Sequence, residues 1–73
     1  MTEKQASIYR FIDEWWKEFG YAPSIDDIMR ATNDKSRSSV HHVIIRLCEM
    51  GICKRVPGKK SVRPSYMRIR DVV

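Results

Sequence analysis

Between residues 36 and 46 the chain carries Ser36, Arg37, Ser38, Ser39, His41, His42 and Arg46. Serine hydroxyls and neutral imidazoles both donate and accept hydrogen bonds, whereas arginine only donates and is always charged. Nucleophilic catalysis would need a base, an orienting carboxylate and a pocket around one of these serines. The stretch holds no carboxylate before Glu49, so no enzymatic activity is expected. A metal site is not expected either. On a helix the adjacent His41 and His42 point about 100° apart, and Cys48 falls toward the core side. No cofactor or small-molecule ligand is implied. What remains is surface recognition: short hydrogen-bonding groups suit base edges, and the basic groups beside them suit phosphates. A merely solvated outer face is the plain alternative.

These residues need a helix to present them. Val40, Val43, Ile44, Leu47 and Met50 fall at the spacing of one helix face. Ser36 is a good N-cap, and Gly51 supplies a left-handed stop, so a helix is expected over about Ser36–Met50. Arg37, Ser38, His41, His42 and Arg46 lie opposite its apolar stripe, with Ser39 beside them.

Upstream, Thr2 and Gln5 form a capping box for a first helix that runs to about Phe19 and stops at Gly20. Its apolar positions are Ile8, Phe11, Ile12, Trp15 and Phe19, with Tyr9 and Trp16 flanking them. The expectation is that Trp15 is inside and Trp16 at the rim. Pro23 breaks the helix, and Tyr21 before it is expected to pack under the turn, with a phosphate contact as the alternative. Ser24 caps a short second helix with Ile25, Ile28 and Met29 as its apolar positions. Asn33-Asp34-Lys35 makes the turn, because asparagine tolerates the left-handed conformation. Helix, tight turn and helix together read as a helix-turn-helix.

After Gly51 the period shifts toward two. Ile52–Val56 reads as a strand, and Pro57-Gly58-Lys59-Lys60-Ser61 as a turn. Val62–Ser65 is ambiguous because Pro64 argues against a central strand. Tyr66–Arg70 alternates and is the expected return strand, with Met67 and Ile69 on one face, and Asp71–Val73 as a frayed tail. The fold class expected is therefore mainly α with a small β-hairpin: a winged helix-turn-helix of three helices plus a basic wing over about Lys54–Arg70.

A chain of 73 residues is expected to be one domain, 1–73. At this size roughly 60% of the unfolded surface is buried, so the core is marginal. No apolar run reaches a membrane span and no signal-peptide pattern is present. Cys48 and Cys53 do not have zinc spacing, and free thiols in a reducing cytoplasm are expected. Residues 1–34 hold four basic against seven acidic side chains, and residues 35–73 hold ten against two. That asymmetry points to a polyanionic partner for the second half.

The order of motifs resembles the N-terminal DNA-binding domain of the LexA repressor family. The resemblance is carried by Thr2, Gln5, Ile8 and Phe11-Ile12. It continues through Gly20-Tyr21-Ala22-Pro23-Ser24-Ile25-Asp26-Asp27-Ile28 and Ser36-Arg37-Ser38-Ser39-Val40-His41. It closes with Leu47, Gly51-Ile52 and Arg68-Ile69-Arg70. It implies that the third helix enters the major groove, that the wing follows the backbone, and that Ser36, Ser38, Ser39, His41 and His42 contact bases. The chain departs from the family at Val43, where a second histidine is frequent. Asn33-Asp34 replaces a glycine and an apolar residue, and the wing is longer and more basic. The family's C-terminal self-cleaving peptidase and dimerisation domain is expected to be absent, so autoproteolysis is not assigned.

The expected function is a sequence-specific, duplex-DNA-binding transcriptional regulator of repressor type. The expected contacts are Ser36, Arg37, Ser38, Ser39, His41, His42, Arg46, Lys54, Lys59, Lys60 and Arg63. Arg37 stays open between a guanine and a phosphate contact. Double-stranded DNA is the expected partner, with a homodimer forming on it, since one half-site binds weakly. The rival readings are a docking or dimerisation module, favoured by Ile45 and Trp16, and a structured-RNA binder.

Overall fold

A computed structural model describes residues 1–56 and 62–67. Five elements follow one another: α1 (Glu3–Phe19), α2 (Ile25–Thr32), α3 (Arg37–Glu49), β1 (Cys53–Arg55) and β2 (Val62–Pro64). Their ends are set by local chemistry. Thr2 accepts from the Gln5 N–H while the Gln5 side chain accepts from the Thr2 N–H, closing the capping box. Ser24 and Asp27 repeat the arrangement at α2. Gly20 (φ +77°) ends α1 in the left-handed region. Asn33 (φ +56°) ends α2 and turns the chain into α3.

The core is built by four layers of contact. Ile8, Ile12 and Trp16 of α1 meet Ile28 of α2, Val40, Ile44 and Leu47 of α3, and Cys53 and Val62 of the hairpin. Burial of Cys53, and then the neighbouring Cys48, push the Cys53 thiol up to about 12. Both cysteines are free thiols.

Two expectations are corrected by the packing. Of the expected stripe Ile8, Phe11, Ile12, Trp15 and Phe19, Ile8 and Ile12 are buried, but the line continues to Trp16 and leaves Phe11 and Trp15 half-buried and Phe19 exposed. Trp16 is only 5% exposed, and its indole N–H donates to the Val62 carbonyl at 2.9 Å. A tryptophan can be buried when its N–H finds an acceptor, and the β2 carbonyl supplies one. Trp15 is half-buried and its N–H has no acceptor among the described residues.

The return strand is also placed earlier than expected, at Val62–Pro64 instead of Tyr66–Arg70. It pairs antiparallel with β1 in the register Cys53–Pro64, Lys54–Arg63 and Arg55–Val62. The Ser65 N–H donates to the Ile52 carbonyl at 2.8 Å. Bonded and non-bonded pairs alternate along such a ladder, so Pro64 falls at a non-bonded position, where a missing N–H is no loss. Tyr66 and Met67 lie in the following turn. Arg68–Arg70 fall outside the described residues, as does the Pro57–Ser61 turn.

Candidate nucleic-acid interface

The start of α3 is held from three directions. Its N-cap Ser36 accepts from the Ser39 N–H at 3.2 Å, and Asp34 accepts from the Ser36 N–H at 3.0 Å. Lys4, reaching across from the first turn of α1, pairs with the other Asp34 oxygen at 2.5 Å and donates to the Ser39 hydroxyl. Lys4 first, and the Ser36 N–H second, hold the Asp34 carboxyl below the usual carboxylate range. The turn between α2 and α3 is thus fixed to α1 by charge as well as by the core beneath it.

On this frame Ser38, His41 and His42 are exposed and make no side-chain hydrogen bond among the described residues. A rotation of about 100° per residue puts Ser38, His41 and His42 off the side of α3 that carries Val40, Ile44 and Leu47. Ser39 is half-buried and engaged by Lys4. Arg37 is exposed and bound to Asp26 in the first turn of α2. With Ile25, Ser38 and His41 it lines a shallow depression between the two helices. Arg46, one turn further on, pairs with Glu49 at 3.2 Å. Ile45 is half-buried.

The hairpin packs on α3 through β1 and on α1 through β2, and side-chain bonds tie it to α1 and to the end of α3. Besides the Trp16–Val62 bond, the Tyr66 hydroxyl donates to Asp13, which also pairs with Lys17 at 3.1 Å. The Asp13 carboxylate, burial next, raises the Tyr66 hydroxyl above its ordinary range. Ser65 donates to the Gly51 carbonyl at 2.5 Å. On β1 the Lys54 and Arg55 side chains are exposed while Cys53 points inward.

The eleven site residues named from the sequence therefore divide. Among the described residues Ser38, His41, His42 and Lys54 are exposed and find no partner, whereas Ser36, Arg37, Ser39 and Arg46 already have protein partners. Arg63 is half-buried and donates to the carbonyls of Pro64, at 3.4 Å, and Met67, so it folds back on its own turn. Lys59 and Lys60 lie outside the described residues. Sequence reasoning missed Lys4, Asp26 and Asp34. The Asp34–Ser36 spacing is a local turn signal that could have been read. The reach of Lys4 to Ser39 spans 35 residues and leaves no local trace.

A separate surface lies on α1. Trp15 meets Phe11 at 5.6 Å and Phe19 at 4.5 Å between ring centroids, both tilted, and Tyr21 meets Trp15 edge-on at 6.0 Å. Phe19 is 49% and Tyr21 58% exposed, so Tyr21 does not pack under the turn as expected. Among the described residues no three His, Cys, Asp or Glu side chains are grouped to hold a metal ion. No helix among them is long and apolar enough to cross a membrane.

Residues 1–61 match the family described as the LexA DNA binding domain. Over all 73 residues the chain is 34% identical to a LexA repressor of Erythrobacter litoralis (strain HTCC2594). The chain spans 31% of that protein's length.

Proposed function

The chain belongs to the LexA DNA-binding domain family, and on that premise we propose that it represses transcription by reading duplex-DNA sequence with α3. The observation that carries this is the outward face of a capped helix, where Ser38, His41 and His42 stand exposed beside Arg37, without a partner among the described residues. Serine and histidine hydrogen-bond base edges in the major groove, and arginine adds a stronger contact. The dipole end at Ser36 favours a nearby phosphate. Lys54 and Arg55, with Lys59 and Lys60 further along the sequence, supply cations for the backbone. Residues 1–73 act as one DNA-binding unit, and two copies on a two-fold site give the useful affinity.

The test is selection from a random duplex pool at low and moderate salt. A short enriched motif is expected. If about five cations neutralise phosphates, log K falls against log[salt] with a slope of about −4 to −5, and Lys54→Ala flattens it by about 0.9. The Phe11–Trp15–Phe19–Tyr21 surface favours a second reading, docking to another protein. Binding without enrichment, or no binding, would replace the first reading by the second.

A further inference from the structure

We propose that Asp26 is a specificity-determining positioning residue, holding Arg37 so that it reads a guanine and does not rest on a phosphate. This rests on the DNA-reading role of α3 proposed above. Arg37 is the first residue of α3, where a recognition helix meets base edges, and its Nη1 donates to Oδ1 of Asp26 in the first turn of α2. The two side chains are 65% and 62% exposed. An ion pair that open to water adds little to stability, so holding the fold together does not account for it. Its geometric effect is larger. An unrestrained arginine sweeps a wide volume at the end of a flexible stem. Tied to a carboxylate on a different helix, its planar fork is confined while its remaining N–H donors stay free.

The pair also selects among partners. A phosphate at Arg37 would bring a second anion onto a cation already shared with a carboxylate, at close range. A guanine edge offers two neutral acceptors, O6 and N7, spaced for the arginine fork, and leaves the carboxylate undisturbed. Ser38 and His41 border the same depression, so the contact sits among groups able to bond the neighbouring base pairs. The geometry therefore resolves what the sequence left open for Arg37, and it draws the deciding residue from α2.

The experiment is the same selection, run with the full chain as wild type, Arg37→Ala, Asp26→Asn and Asp26→Glu, with circular dichroism melts confirming equal folding. The wild type is expected to prefer guanine at one position by about five- to a hundredfold, and Arg37→Ala to abolish that preference alone. Asp26→Asn keeps the shape but not the charge. It should weaken the same preference by about fivefold or more, while binding to unselected DNA stays equal or rises. Asp26→Glu should restore part of the preference. A 7-deazaguanine at that position should weaken wild type more than Asp26→Asn. If Asp26→Asn leaves the preference intact, or erodes every position evenly, the positioning role is wrong while the reading role of α3 survives. If the wild type enriches no motif, that reading role itself fails, and this assignment with it.

Discussion

Replacing Trp16 by phenylalanine isolates the bond that joins α1 to the hairpin. Phenylalanine keeps most of the ring contacts of a side chain that is 5% exposed, but it has no N–H for the Val62 carbonyl now served at 2.9 Å. A buried acceptor left without its donor costs about 1–3 kcal/mol. The lost ring atoms, roughly two methylene equivalents, remove about 1–2 kcal/mol more. The central expectation is about 3.5 kcal/mol, or a drop in Tm of about 14–28 °C at about 4–8 °C per kcal/mol for a chain this small. Trp15→Phe is the control. The Trp15 N–H has no acceptor among the described residues, so its loss should change stability by no more than about 1 kcal/mol. Far-UV circular dichroism melts, supported by fluorescence of the tryptophan that remains, measure both. Equal losses, or a larger loss for Trp15→Phe, would refute the assignment of Trp16 to the core.

Two further outcomes are expected. The Asp34 carboxyl is held below 3.8 by Lys4 and the Ser36 N–H, so its contribution is complete above that value and is lost as pH falls through the lower folded value. Asp34→Asn should therefore be less stable than wild type above pH 3.8, with the gap narrowing as pH falls below that value; a gap independent of pH in urea titrations would dismiss the Lys4–Asp34 link. Cys53, with its thiol pushed up to about 12, should resist alkylation at neutral pH in the native protein, while half-buried Cys48 reacts first. Mass spectrometry after brief iodoacetamide treatment decides this, and Cys53 labelling as fast as Cys48 would contradict its burial.

What the sequence revealed was mostly local. Thr2, Ser24 and Ser36 announce helix starts because their oxygens satisfy N–H groups two or three residues on, and all three cap as expected. Asn33 announces the turn for a similarly local reason. Periodicity also found the buried side of α3, since Val40, Ile44 and Leu47 have no aromatic competitors. On α1 it found Ile8 and Ile12 but chose the wrong tryptophan, because Trp15 and Trp16 compete and the winner depends on which one meets β2. The return strand was misplaced for a related reason. A two-stranded ladder is all edge, so the objection to Pro64 did not apply. At the candidate interface, exposed Ser38, His41 and His42 were legible from helix geometry. The partners of Arg37 and Ser39 were not, because Asp26 and Lys4 come from other helices.

The Trp16–Val62 bond joins positions 46 residues apart, and that separation sets an order of events during folding. The three helices and their caps involve near neighbours and can form early, whereas the slot for the indole is closed only when the hairpin folds back over α1. Long-range closure is the slow part of such a process, because chain entropy is lost before the contact repays it. Lengthening the β1–β2 turn should slow folding more than it lowers stability, since each doubling of a loop adds only about 0.6 kcal/mol.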